Sequence, residues 1–138
     1  MLLCNEIAPI HDKRRLLAAL DRALSSWSTY APYLEGFRTR LKRVRGVPPE
    51  QIPGDMITMN SRFAVTDQRT GDTMSYTLVF PGEEAPAQGK LSALSPMGMA
   101  MLGARVGEEV AWISAAGPET AVVKKVLYQP EAAGHYHL

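Results

Sequence analysis

The chain has 138 residues, of which 15 are Lys or Arg, 14 are Asp or Glu and 46% are apolar. This composition suits one ordinary folded domain with a small appendage, and it excludes large multidomain machinery. No stretch approaches the roughly 20 unbroken apolar residues of a membrane helix, and the first ten residues lack the basic start of a secretory signal. The single cysteine, Cys4, cannot form an internal disulfide. We therefore expect a cytoplasmic protein without membrane contact.

The charges are divided unevenly along the chain. Residues 1–46 contain nine basic and four acidic residues, a net charge of +5, whereas residues 47–138 contain six basic and ten acidic residues, a net charge of −4. This asymmetry predicts two structural units with different surroundings.

The first unit is predicted to be a helical hairpin. Residues 11–27 carry an apolar stripe at helical spacing: Leu16, Leu17, Leu20, Leu24 and Trp27. Residues 31–45 carry a second stripe: Leu34, Phe37, Leu41 and Val44. Because a short connection joins them, the two helices should lie antiparallel and bury the stripes against each other. Prolines then crowd residues 47–54, so the predicted domains are 1–46 and 47–138.

After the connector the apolar period changes to two, which predicts a strand over residues 57–66 and a hairpin with residues 73–80. A short strand is predicted at 90–94, a short helix at 96–102, and two last strands at 109–114 and 119–128. The fold class is therefore α+β: an antiparallel helical hairpin followed by a small antiparallel sheet with one short helix.

The short helix has clear boundary signals. Ser95 is a good N-cap, Pro96 suits the first helical position, and Gly103 allows a left-handed exit. Met97, Met99 and Met101 cannot all lie on one face of such a helix, so at least one should offer an adaptable apolar contact. Core packing of Met99 and Met101 remains equally open at this stage.

No catalytic constellation is found in the sequence. Phosphate-cradling glycine loops are absent, and the adjacent carboxylates at 83–84 and 108–109 point to opposite faces of an extended chain. His135 and His137 lack a third ligand nearby, and Cys4 has nothing to orient it towards His11 as a base. We expect no active site, metal, cofactor or small-molecule ligand.

Three segments carry a family resemblance. Residues 95–108 (SPMGMAMLGARVGE), with the final strand ending at Tyr128, resemble the C-terminal domain of the GreA/GreB transcription factors. Residues 49–61 (PEQIPGDMITMNS) and 128–134 (YQPEAAG) are similar to a subgroup of that family, the regulators of nucleoside diphosphate kinase, or Rnk. The resemblance as a whole, of which these segments are the most specific parts, extends over almost all of residues 47–138.

The resemblance implies an FKBP-like C-terminal domain that docks at the rim of the secondary channel of RNA polymerase. Nucleic acid would then be reached only through the polymerase complex. The residues that the resemblance places at this contact are Ser95, Pro96, Met97, Gly98, Met101 and Gly103. An FKBP-like shape does not by itself imply prolyl isomerase activity, because activity resides in a site and not in a fold.

The basic second helix is not part of the resemblance. The cations of the predicted helix are Arg38, Arg40, Lys42, Arg43 and Arg45. Three interpretations remain open: solubility, attraction to acidic walls of the polymerase channel, and contact with nucleic-acid phosphates.

Cleavage-stimulating Gre factors have a longer coiled coil whose acidic tip helps to hold a catalytic Mg²⁺. Here the expected tip, residues 25–32, has no carboxylate, and the helices reach only roughly 24 Å. The resemblance, with these departures from it, therefore predicts a non-enzymatic polymerase-binding regulator that does not stimulate transcript cleavage and that either competes with longer Gre factors or restricts access to the channel. Alternatives are control of nucleoside diphosphate kinase, a peptidyl-prolyl isomerase, and a plain nucleic-acid-binding module, which the acidic C-terminal domain disfavours.

Overall fold

The structure, a computed structural model, describes residues 7–26 and 31–135. The chain forms two compact units, Met1–Ile52 and Pro53–Leu138, here called the N-terminal and C-terminal units. Cys4, His137 and the predicted tip residues 27–30 lie outside the described residues. Within the described residues, no helix combines the length and the apolar character needed to cross a membrane.

The N-terminal unit contains two helices, α1 (Ile10–Ser26) and α2 (Ala31–Arg43). Most residues of their predicted stripes are buried, with at most 4% exposure at Leu16, Leu20, Leu34, Phe37 and Leu41. Leu17 and Leu24 are partly exposed. Lys13 of α1 lies against Val44 just after α2, whereas Asp21, further along α1, pairs with Arg38 of α2. Because residues later in α1 contact residues earlier in the second helix, the two helices are antiparallel.

A pair of short strands closes the base of the hairpin. Strand β1 (Ile7–Pro9) pairs in parallel with β2 (Arg45–Val47). Gly46 lies close to Ile10, since an added Cβ would overlap the end of the Ile10 side chain, which would have to shift. The sequence did not predict this pair, and α2 ends before Val44 because the following residues turn into β2. The Lys13 ammonium donates to the Val44 carbonyl at 2.8 Å, where a cation favours the end of a helix.

The C-terminal unit is built on a five-stranded sheet. The strands are β3 (Arg62–Asp67), β4 (Thr73–Val79), β5 (Lys90–Ser92), β6 (Glu109–Ser114) and β7 (Gly117–Tyr128). Their order in the sheet is β5-β4-β3-β7-β6. One short helix, α3 (Pro96–Met101), lies between β5 and β6 in the chain. The predicted α+β class is confirmed. The sheet is not wholly antiparallel, however, because β5 runs parallel to β4.

The strand predicted over residues 57–66 is wrong in its first half, since β3 begins only at Arg62. Ile57, Thr58 and Met59 are all at most 1% exposed, so both sides of this segment face protein instead of alternating. Asn60 then takes a left-handed backbone conformation with a φ of 65°, which no regular strand accommodates. The segment is a buried turn that leads into the sheet.

The sheet has an inner face that forms the core of the unit. Phe63 and Val65 of β3 and Ala121 and Val123 of β7 lie on it and are at most 4% exposed. Residues two apart on a strand, and directly paired residues on neighbouring strands, share a face. The register therefore assigns side chains to the inner or the outer face, except across the two irregularities in the β3–β7 pairing, at Arg62/Phe63 and Ala64/Val65.

Candidate docking site on the short helix

Helix α3 begins as the sequence predicts. The Ser95 hydroxyl oxygen accepts a hydrogen bond from the Gly98 N–H at 3.1 Å, and Pro96 occupies the first turn. The same hydroxyl donates to the Ser92 carbonyl at 2.7 Å, which ties the cap to β5. Gly103, with a φ of 86°, takes the chain out of the helix in the left-handed region that favours glycine. Both ends of this short helix are thus fixed by local chemistry.

Gly98 lets α3 approach the backbone of β5 very closely. A Cβ built on Gly98 would collide with the Ser92 carbonyl oxygen and would stand 3.0 Å from the Cα of Ala93. Any other residue would have to displace main chain at this point. Glycine at this position therefore allows the close approach of α3 to β5.

The predicted contact residues divide between surface and core. Pro96 is exposed and Met97 is partly exposed, as is Met99. Met101 is fully buried and Gly98 is also buried. Pro96 and Met97 therefore form the accessible part of the predicted site, and Met101 packs beneath the helix and supports it.

The three segments that carry the family resemblance contact one another. Arg105, just after α3, donates to both carboxylate oxygens of Asp55, at 2.9 and 3.2 Å. The Gly103 N–H donates to the Ile57 carbonyl at 2.9 Å, and the Ile57 N–H donates to the Ala104 carbonyl at 2.8 Å. These bonds join the exit of α3 to the buried turn before β3.

The segment after β7 completes the arrangement. Gln129 is 3% exposed, and its side-chain amide donates to the carbonyls of Pro53 and Met56, each at 2.7 Å. The Thr58 hydroxyl donates to the buried carboxylate of Glu131 at 2.6 Å. Sequence reasoning gave no role to these polar residues, and their only signal was that both lie in the segment similar to Rnk.

Replacing Gln129 with Leu is expected to lower the free energy of unfolding by about 2–4 kcal/mol, because each buried polar group left without a partner costs roughly 1–3 kcal/mol. Here the carbonyls of Pro53 and Met56 would lose their donors. Urea denaturation measures the change. Gln68→Leu, at an exposed turn position, is the matched control and should change stability by less than about 0.5 kcal/mol. Equal urea concentrations at the unfolding midpoints of the two variants would contradict this prediction.

The predicted basic face of the hairpin is partly occupied by internal contacts. The Arg38 guanidinium donates to the Asp21 carboxylate at 3.0 Å, across the two helices. The Arg40 guanidinium lies 6.0 Å from the centre of the Phe37 ring. Lys42 and Arg43 are exposed.

Arg45, the fifth predicted cation, is exposed but lies in β2 and not on α2. The N-terminal unit as the structure bounds it has nine basic and five acidic residues, a net charge of +4. The C-terminal unit has six basic and nine acidic residues, a net charge of −3. The contrast of sign therefore persists between the two structural units.

Residues 52–128 match the family described as transcription elongation factor GreA/GreB, C-terminal. The chain belongs to the GreA/GreB family. The match covers more than half of the chain, including the whole five-stranded sheet and α3, so the resemblance based on the three segments is confirmed.

Two curated relatives illustrate the range of this GreA/GreB family. The regulator of nucleoside diphosphate kinase from Escherichia coli (strain K12) is 37% identical over 108 residues, which cover 78% of this chain and 79% of that protein. GreA from Solidesulfovibrio magneticus is 35% identical over 72 residues, which cover 52% of this chain and 44% of that protein. Their names are those of a regulator and an elongation factor.

Solved structures show the same architecture. A GreA/GreB elongation factor from Nitrosomonas europaea superposes with a TM-score of 0.76 at 27% identity, covering 90% of this chain and all of that one. GreA factor homolog 1 from Thermus thermophilus gives a TM-score of 0.50 at 24% identity, covering 86% and 88% of the two chains. This second likeness supports the fold alone.

Proposed function

We propose that this GreA/GreB family protein is a non-enzymatic regulator that docks on RNA polymerase, at the rim of its secondary channel, through α3. The observation that carries the proposal is the way α3 is held. A capped helix is seated on β5 through Gly98, joined to the buried turn at Ile57, and presents Pro96 and Met97 to solvent. Binding hot spots usually consist of a few accessible apolar side chains held on a rigid element.

The hairpin supports docking without stimulation of transcript cleavage. At 1.5 Å per residue, the 17 residues of α1 span about 25 Å and the 13 residues of α2 about 20 Å. The sequence from residue 26 to residue 32 contains no Asp or Glu. Asp21, the nearest acidic residue on α1, already pairs with Arg38. A hairpin of this length and composition supplies few oxygen ligands for a distant Mg²⁺.

A cleavage assay on backtracked transcription complexes tests this proposal. We expect no rise above the intrinsic cleavage rate when the protein is added alone. When a long-hairpin Gre factor is also present, the protein should lower the cleavage that this factor stimulates, because both would occupy one site. Clear stimulation by the protein alone would overturn the proposal.

Met97→Asp is expected to weaken polymerase binding at least about tenfold while changing the free energy of unfolding by less than about 1 kcal/mol. The side chain is partly exposed, so a charge there meets the partner and not the core. Pro96→Ala should weaken binding by a smaller factor. Co-purification with core polymerase measures binding, and thermal denaturation measures stability.

Pro86→Ala is the control for the proline change, since Pro86 is also exposed and begins a 3-10 turn elsewhere in the C-terminal unit. It should leave binding unchanged. Intact binding by Met97→Asp, together with a large loss of stability, would show that this side chain has a packing role.

A second candidate function rests on the similarity to the Escherichia coli regulator of nucleoside diphosphate kinase. Direct control of that kinase predicts a change in its activity when the purified proteins are mixed. An effect that appears only in cells, together with polymerase binding in vitro, would favour an indirect route through transcription. Isomerase activity is not expected, and a proline-peptide assay with the full chain checks this.

A further inference from the structure

A second accessible patch lies at one end of the inner face of the sheet. We call it the tip patch; its members are Met74, Tyr76, Trp112 and Glu119. Met74 is 56% exposed. The other three are partly exposed. The patch lies near the two hairpin turns, after β3 and after β6, and none of its residues belongs to α3.

The strand register places these four side chains on one face. Met74 pairs with Val65, which also pairs with Val123 of β7. Glu119 lies four residues before Val123 on the same strand, and Trp112 of β6 pairs directly with Glu119. Paired residues and residues an even number apart share a face, so the patch borders the buried core.

The patch combines aromatic rings with uncompensated negative charge. The Tyr76 hydroxyl donates to the Met74 sulfur at 3.6 Å. Burial of the ring raises the pKa of the Tyr76 phenol above its ordinary value, and the carboxylates of Glu119 and Asp67 raise that pKa further. Among residues 7–26 and 31–135, neither carboxylate has an ion-pair partner. Ser114 holds Glu119 in place through a short hydrogen bond.

Trp112 adds a donor to this surface. Its indole N–H has no hydrogen-bond partner within the described part of the chain, although the ring is half-buried. Half-buried indole rings with an accessible N–H are typical anchors of protein interfaces. The patch thus offers an aromatic ring and a carboxylate side by side, with a flexible thioether nearby.

We propose that the tip patch is a docking site for an arginine side chain on a protein partner. A guanidinium can stack on the Trp112 ring while it donates to the neighbouring carboxylate of Glu119. An apolar residue beside that arginine would then contact Met74 and Tyr76. The charge of the unit, −3, favours a cationic segment and opposes the phosphates of a nucleic acid. This contact is additional to the one proposed for α3.

The test uses the full chain and short blocked peptides. Leu-Arg-Leu is titrated into the ¹⁵N-labelled protein, and Leu-citrulline-Leu serves as the neutral peptide of the same shape. The readout is the indole N–H signal of Trp112, assigned with Trp112→Phe. We expect a saturable shift with the arginine peptide and an affinity at least about fivefold lower with citrulline. Raising the salt to about 0.5 M should weaken the arginine complex.

Two variants locate the charge that matters. Glu119→Gln keeps an acceptor for Ser114 and should lower the affinity for the arginine peptide about threefold or more. Glu109→Gln makes the same charge change on the outer face of β6, where Glu109 is exposed, and should leave the affinity unchanged. Equal loss in both variants would mean that only net charge acts, and the proposal would fall.

Two other results would also overturn it. If dilution of the protein alone moves the Trp112 signal and the arginine peptide does not compete, the occupant is a second copy of the chain. If a single-stranded oligonucleotide shifts the signal more strongly than the arginine peptide does, the ligand is a nucleic acid.

Discussion

Gly98→Ala is expected to destabilise the C-terminal unit by about 3 kcal/mol or more, because an added methyl would require main-chain movement in a packed core. The collision is with the carbonyl oxygen of Ser92 and the Cα of Ala93, neither of which can move away as a flexible side chain can. Urea denaturation of the full chain, followed by signals of the C-terminal unit, measures this loss.

The control for Gly98→Ala is Gly36→Ala. Gly36 is also a helical glycine, but an added Cβ there meets nothing within 4 Å. That change should raise stability by up to about 1 kcal/mol, since alanine favours a helix more than glycine does. Because Gly98 seats α3 on β5, Gly98→Ala should also weaken polymerase binding. Unchanged stability and unchanged binding together would show that the close approach does not position the helix.

Leu20→Asp is expected to unfold the helical hairpin and to spare the C-terminal unit. Leu20 is 0% exposed and lies in the seam between α1 and α2. A carboxylate buried there without a partner costs several kcal/mol, which a two-helix unit with a small core cannot offset. Circular dichroism should show the loss of most helical signal, while amide spectra keep the dispersed peaks of the sheet.

Ala18→Asp is the matched control for this change. Ala18 is exposed on the same helix, two residues before Leu20, and the variant should fold normally. If Leu20→Asp kept the full helical signal, Leu20 would not lie in the buried contact between α1 and α2. Collapse of the sheet signals as well would show that the C-terminal unit requires the hairpin for its own stability.

Elements with strong local signals were predicted well from the sequence. The 3.6-residue stripes gave α1 and α2 within two residues at each end, because a seam of large aliphatic residues requires that spacing. The Ser95 and Pro96 signals located the first residue of α3, since capping chemistry acts within one turn. The three segments that carry the family resemblance are joined to one another by hydrogen bonds in the structure.

Features set by distant contacts were not predictable in this way. Strands β1 and β2 have three residues each and no alternation, so only their mutual pairing reveals them. The turn at Ile57 resembled a strand in the sequence because its apolar residues alternate, although Ile57, Thr58 and Met59 are all buried. The burial of Met101 and the bonds of Gln129 depend on segments tens of residues away, which periodicity does not detect.

The parallel β1–β2 pair at the base of the hairpin allows the two helices to vary in length together. Strands β1 and β2 bring the start of α1 and the end of α2 to adjacent positions, whatever lies between them. Equal numbers of whole helical turns could be added to both helices without disturbing this junction. Insertions or deletions of this kind would change the length of the hairpin while the β1–β2 pair at its base stays the same.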